Sequence, residues 1–335
     1  MNLRYRFARR GAFALGSCAL LLAPLAVRAQ VATETKQADA KPADAAANSE
    51  SYTLRLKFKQ GNVNRYKTQV KTKVTSPSGL GGETKTVDAN STSVAEQKTT
   101  KLLENGAAEL LTTTTGVKLE TDGKATDAPK IPPVTTQITP TAKVLSTKTD
   151  DADAPDMMKS LFTNSFSSPQ SFLPDAAVKI GDKWTQKFSL PAPLNGKEGT
   201  MDCSLTRIET LNGVKTALIH AIMKVPMMIF LDGMGQPTKV EGDAMAIFDG
   251  ALISNMDINF AIDEGKIARA VNSGDMNIAI KLGKAAPPEA ASFLPEGSKV
   301  VVKMNMDMSL LAPGEKVETP KTDAPKTEDA KPEKK

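Results

Sequence analysis

Cys203 and His220 are the two side chains whose types come closest to chemistry, because a thiol and an imidazole that share a proton make a nucleophile. Each is the single residue of its kind once the first twenty-nine residues are set aside as a leader, as argued below. With Asn212-Gly213 as a two-residue turn, Leu205 falls opposite His220 and Cys203 opposite Ile222. Cys203 and His220 are then diagonal neighbours on one face. Their surroundings are Met201, Leu205, Leu218 and Ile222, and an apolar setting raises a thiol's pKa and suits an inert core cysteine. A lone histidine placed there leaves nothing from which to build a Ser-His-Asp set or a zinc cluster, and no Gly-rich phosphate loop is visible. Asp249, Asp257, Asp263 and Glu264 read as a wet strand face, since Asp263-Glu264-Gly265-Lys266 lacks the further oxygens of a calcium loop. The expectation is a non-enzymatic protein that needs no cofactor or metal.

Methionine is the oddity of composition: fourteen, against one Trp, three Tyr and eleven Phe. Met223, Met227, Met228, Met234, Met245, Met256, Met276, Met304, Met306 and Met308 crowd the second half. Soft thioethers suit copper(I), but alternation sets the sulfurs of Met304, Met306 and Met308 about 7 Å apart along a strand, too far to converge on one ion. Two readings remain. Flexible methionines fill a core short of aromatics, or they line a plastic apolar surface for lipid or another hydrophobic ligand. The ligand-binding face predicted on the second reading comprises Met256, Ile258, Phe260, Met276, Ile278, Met304, Met306 and Met308.

The elements that must carry these residues are strands. Val302, Met304, Met306, Met308 and Leu310 alternate with Lys303, Asn305, Asp307 and Ser309, which specifies antiparallel sheet with one face buried and one wet. Met256, Ile258, Phe260 and Ile262 repeat the pattern, as do Met276, Ile278, Ile280 and Leu282. Near the start, Tyr52, Leu54, Leu56 and Phe58 are predicted to form a strand paired about Gly61-Asn62 with one through Tyr66, Thr68, Val70 and Val74. Asn105-Gly106, Asp122-Gly123, Asn212-Gly213 and Glu264-Gly265 suit the positive φ angles of tight turns. Gln60-Gly61 leading to Tyr66-Lys67-Thr68 parallels Ile180-Gly181 leading to Trp184-Thr185-Gln186, so residues 51–150 and 172–311 are expected to be two similar halves. The segment 155–166 has Met157, Met158, Leu161 and Phe162 at helical spacing. The expected fold is mainly β: a duplicated, long-stranded antiparallel sheet over 51–311, curled into a half-barrel or barrel, with the short helix as plug or lid. Trp184 is assigned to packing between the halves, its indole N–H hydrogen-bonded.

The ends read differently. Arg4, Arg6, Arg9 and Arg10, an apolar stretch over 11–27 and Val27-Arg28-Ala29 form an export signal over 1–29, with cleavage expected before Gln30. Arg9-Arg10 with Phe13 leaves the twin-arginine route open beside the general one, and Leu15-Gly16-Ser17-Cys18 loosely matches a lipoprotein-processing box. The leader's five arginines account for the formal +5 of the whole chain, so the remainder is near neutral and offers no basic footprint for nucleic acid. Residues 30–50 and 312–335, rich in Ala, Pro, Lys and acids, cannot bury enough apolar surface to offset ordering and are read as a disordered linker and tail. The expected location is the periplasm or the exterior, with no integral membrane segment after processing.

Met157-Met158-Lys159-Ser160-Leu161-Phe162, and above all Leu173-Pro174-Asp175 followed by Val178-Lys179-Ile180-Gly181-Asp182-Lys183-Trp184-Thr185, resembles a signature of secreted bacterial proteins grouped as a domain of unknown function. Such proteins look like relatives of the lipoprotein-carrier half-barrel. That resemblance implies a curved sheet with a helical lid and an apolar concave face, and it supplies no catalytic residues. The expected function is therefore binding of a lipid or other hydrophobic ligand, or of an envelope protein partner. The alternative is a structural or protein-interaction module with a closed core.

Overall fold

The computed structural model describes residues 50–77, 84–127, 131–149, 172–189, 198–233, 237–238, 241–287 and 297–315. The expected leader, the helix at 155–166, nearly all of the linker and the tail beyond 315 lie outside these residues. Strands follow the alternation closely: β1 Val63–Pro77, β2 Thr84–Leu102, β3 Ala108–Thr121, β4 Lys124–Thr126, β5 Val134–Ile138 and β6 Val144–Thr149 in the first half. The second half contributes β7 Lys183–Ser189, β8 Glu198–Leu211, β9 Val214–Leu231, β10 Pro237–Thr238, β11 Ala246–Ala261, β12 Lys266–Leu282 and β13 Lys299–Leu310. Turn chemistry punctuates them as expected: Asn105, Asp122 and Asn212 have φ of 60°, 51° and 51°, each followed by a glycine that also has positive φ.

All thirteen strands join one antiparallel sheet in the order β6-β5-β3-β2-β1-β13-β12-β11-β9-β8-β7, with β4 on β3 and β10 on β9. The sheet is left open between β6 and β7. Laid flat, these edge strands would stand about 48 Å apart, ten spacings of about 4.8 Å. Yet Tyr52 is hydrogen-bonded to Val178, just before β7, and Leu56 to Pro140, between β5 and β6, so four residues of one chain, about 14 Å at full extension, bridge the two edges. The sheet therefore curls, with its apolar side chains inward.

The duplication is visible in the hydrogen bonds. In the first half Asn62 N–H bonds Lys59 O, Gly61 N–H bonds Thr99 O and Thr99 N–H bonds Asn62 O. In the second, Asp182 N–H bonds Lys179 O, Gly181 N–H bonds Leu205 O and Leu205 N–H bonds Asp182 O. In both, the register slips at the next residue, between Thr99 and Lys101 and between Leu205 and Arg207. The two bulged residues, Thr100 and Thr206, each donate their hydroxyl to a carbonyl of the following strand, Glu109 O at 3.1 Å and Leu218 O at 2.9 Å. An Asn-Gly turn follows each. The meander β1-β2-β3-β5-β6 is thus repeated as β7-β8-β9-β11-β12, and β13 joins the last strand of the second unit to the first strand of the first.

One expectation needs correction. Residues 52–58 are not a strand paired with β1, because β1 is already hydrogen-bonded to β2 on one side and β13 on the other. They instead cross the end of the curled sheet where the β5-β6 and β11-β12 turns lie. Tyr52 and Val178 exchange two backbone bonds, Leu56 N–H reaches Pro140 O at 2.7 Å and Lys57 N–H reaches Gly265 O at 2.9 Å. The Arg55 guanidinium donates to Pro174 O at 2.6 Å and to Asp175 O. Period-2 alternation survives, since any extended chain has it: Tyr52 and Leu54 are buried, Thr53 and Lys57 exposed. Leu54, Leu173, Leu205, Ile219 and Phe260, all wholly buried, make the floor that this segment seals.

Candidate functional site

The cross-strand register carries all eight predicted ligand-face residues to one side of three adjacent strands, β11, β12 and β13. Met256 stands opposite Asn272, which stands opposite Met306; Met276 stands opposite Val302, and Met308 opposite Ala270. The face continues through Val70 of β1, opposite Met306, and through Met223 and Met201, which face each other on β9 and β8. Met304, Met306 and Val70 form a small cluster of their own, bridged by Met308 to the main core. Ile258 and Phe260 lie toward the sealed floor, whereas Met276 and Ile278 lie toward the far end. Met308 is half-buried, and the other seven are at most 6% exposed.

Polarity is unevenly distributed on this inner face. On β11 to β13 it is apolar except for Ser254 and Asn272, whose side chains meet at 2.7 Å. On β1 and β2 it turns to hydroxyls: Thr68 and Thr72 flank Val70 and pair with Ser93 and Ala89, while Val70 pairs with Ser91. The seam between the two repeated units, β12-β13-β1, is where methionine meets threonine. Sequence reasoning passed over this hydroxyl strip because threonine suits strands whatever faces it.

The Cys203-His220 geometry is overturned. The bulge at Thr206 moves the register by one, so Cys203 stands opposite Ala221 and Ser204 opposite His220. The thiol points inward and the imidazole outward. Burial, helped by the neighbouring Asp202 charge, pushes the Cys203 thiol up to about 12. His220 Nδ1 instead pairs with Asp257 Oδ1 at 2.8 Å. Ser204, His220 and Asp257 thereby share one cross-strand row, the residue types the sequence reading held could not assemble. The row lacks the rest of a hydrolytic site. No hydrogen bond joins Ser204 to His220, and β8, β9 and β11 each have a neighbour on both sides, which commits their backbone N–H groups to the ladder rather than to an oxyanion.

Two other acids on the outer face are likewise paired. Asp249 accepts from Lys281 at 2.6 Å, and Asp307 accepts from Arg269 at 3.3 and 2.6 Å, a fork that raises the arginine's pKa. Among the described residues no group of three or more His, Cys, Asp or Glu side chains is gathered as a metal site. Trp184 donates its indole N–H to Phe172 O at 3.1 Å and packs against the main core beside Cys203.

These features define an open, duplicated β-cup with an apolar inner face. No family model matches the chain, and no curated protein matches it. Among solved structures it is similar to lipovitellin, described for its lipid–protein interactions, at TM-score 0.38 and 11% identity over 76% of this chain. The chain spans only 26% of that lipovitellin chain. It is also similar to DynF from the dynemicin biosynthesis pathway of Micromonospora chersina, at TM-score 0.20 and 10% identity over 85% of this chain and 97% of that one. A DUF1329 family protein from Desulfovibrio piger overlaps at TM-score 0.16 and 11% identity over 72% and 84% of the respective chains. None of the three aligns closely enough to carry its own chemistry over to this chain. No helix among the described residues is long and apolar enough to cross a membrane.

Proposed function

We propose that the protein is a non-enzymatic, exported envelope protein that takes a lipid or similar hydrophobic molecule against its methionine-lined inner face. The observation that carries this reading is the convergence of Met201, Met223, Met256, Met276, Met304, Met306 and Met308 on one face of a sheet sealed at one end and open between β6 and β7. Unbranched thioethers repack around varied shapes at little cost, which suits a face that must close when empty and part when filled. Each Å² of apolar surface removed from water there contributes roughly 25 cal/mol.

A second reading has its own support: Met306 is wholly buried and Met276 nearly so, as in a closed core. Native mass spectrometry of residues 30–335 recovered from the envelope, followed by lipid analysis of an organic extract, separates the two. A reproducible bound lipid that disappears in folded Met306→Asp or Ile278→Asp supports the binding reading. A bare mass, with no uptake of a hydrophobic dye, establishes the closed core and a structural or protein-interaction role.

A further inference from the structure

Among the described residues six large apolar side chains are left exposed, and four of them, Val63, Leu102, Leu145 and Ile180, gather at the closed end of the cup, at 37% to 50% exposure. The closed end is where the β11-β12 turn meets the crossing segment, and the register carries it through β12 and β13 to the start of β1 and the end of β2. Val63 opens β1, Leu102 ends β2, Leu145 is the second residue of β6, and Ile180 lies in the turn that leads into β7. Since β1, β2, β3, β5 and β6 are consecutive in the sheet, these tips follow an arc of about 19 Å from β1 to β6, four spacings of about 4.8 Å. The segment 52–58 then joins the foot of β6 to that of β7.

A single exposed leucine is ordinary on a protein surface. What distinguishes these four is their company. Val63 follows Lys59 and faces Lys98, Leu102 follows Lys101, Leu145 follows Lys143, and Ile180 stands between Lys179 and Lys183. All six lysines are exposed, and none forms an ion pair among the described residues, whereas Lys73, Lys224 and Lys281, higher on the wall, each have a carboxylate partner. The acids in the same turns are Glu104 and Asp182, and the Asp182 carboxylate accepts the Lys179 backbone N–H at 2.8 Å. On the other side of the same end the balance reverses: the β8-β9 and β11-β12 turns carry Glu209, Asp263 and Glu264 against Lys215 and Lys266, with no exposed large apolar residue.

We infer that this arc docks the protein on the surface of an anionic lipid bilayer. The four apolar tips enter the boundary between headgroups and acyl chains, and the lysines beside them lie against lipid phosphates, the two contributions that together hold a protein at an interface without spanning it. Lysines left without protein carboxylates are the complement of such a surface, and the acidic turns on the other side keep that side away from it. Leu145 on β6 and Ile180 before β7 place the foot of the open side at the bilayer. The inference goes beyond the ligand-binding reading and does not depend on it.

The test is flotation of residues 30–335 with vesicles of phosphatidylglycerol and phosphatidylcholine in equal parts, compared with vesicles of phosphatidylcholine alone. The wild type should float with the anionic vesicles and stay behind with the neutral ones. Raising salt from about 0.1 M to about 1 M, which shortens the screening length from about 10 Å to about 3 Å, should release it. Lys101→Gln and Lys179→Gln should each weaken partitioning about fivefold, and Leu102→Ser and Ile180→Ser by a similar factor. Ile253→Ser, equally exposed but on the outer wall of β11, should change nothing. All five positions are exposed, so circular dichroism should show the native fold in each variant, and the salt release is read on the wild type alone. Equal partitioning to neutral and anionic vesicles overturns the proposal, as does an Ile253→Ser loss as large as that of Leu102→Ser, or a wild type that floats with neither. None of these outcomes touches the inner face, so the ligand-binding reading stands or falls separately.

Discussion

Leu54→Ala is the perturbation that most directly tests how the cup is sealed. Leu54 is wholly buried in the segment that crosses the closed end, in one core cluster with Leu173, Leu205, Ile219 and Phe260. Removing about three methylene equivalents forfeits about 2.4 kcal/mol of transfer free energy at about 0.8 kcal/mol each. The cavity left behind adds to this, because Leu205, Ile219 and Phe260 are fixed by the sheet, so the expected loss is about 3–4 kcal/mol. Leu145→Ala, half exposed on the edge strand β6, is the control and should cost under about 0.5 kcal/mol. Both are read by urea denaturation followed by circular dichroism, comparing midpoints at constant slope. Gly265→Ala probes the same seal from the other side: with φ of 61°, a Cβ there would lie 2.6 Å from Lys57 N and 2.7 Å from Arg55 O. It should therefore destabilise the protein by an amount that overlaps, rather than adds to, that of Leu54→Ala. Equal, small shifts for Leu54→Ala and Leu145→Ala would refute the claim that residues 52–58 form the floor.

Cys203, whose thiol burial pushes up to about 12 from its ordinary 9.0, should be alkylated by iodoacetamide at pH 8 on the order of a thousandfold more slowly in the folded than in the unfolded protein. Because the folded pKa is the higher one, its contribution to stability is complete below pH 9 and is lost as pH rises from about 9 toward 12. Base unfolding should therefore shift to higher pH in Cys203→Ala. Gly250→Ala should cost about 2–3 kcal/mol in thermal or urea unfolding, because a Cβ there would meet the backbone of Asn277 and Ile278 on β12. Asp257→Ala, which removes a hydrogen bond between His220 and Asp257 side chains that are 40% and 54% exposed, should change stability by under about 1 kcal/mol. Activated-ester hydrolysis by the wild type should equal that of Ser204→Ala, and a clear rate difference between them would make the outer row a hydrolytic site.

The parts of the fold legible in the sequence were those set by local rules. Period-2 alternation placed Met256, Met276, Met304 and Met306 on one face, and Asn-Gly pairs marked the turns, because side-chain direction and positive φ are decided within a few residues. The parallel between Gly61 and Gly181 pointed to a duplication whose strongest evidence, the matched bulges at Thr100 and Thr206, is a property of pairing and has no composition signal. That same bulge defeated the reading of Cys203 and His220, since one inserted residue turns every later side chain to the other face. Tyr52 to Phe58 failed differently: alternation shows that a chain is extended, not what it pairs with, and both sides of β1 are claimed by strands distant in sequence.

Asn272 belongs to a third kind, since its type was plain and its meaning was not. Alternation places it on the buried face, where a polar residue at an otherwise methionine-rich position contradicts the pattern. In isolation that departure is indistinguishable from a strand slightly out of phase. The register removes the ambiguity: Met256 and Met306 on either side fix the face. Ser254 Oγ, itself 2% exposed, donates to the Asn272 amide oxygen at 2.7 Å, so two polar groups that alternation buries satisfy each other inside an otherwise apolar face.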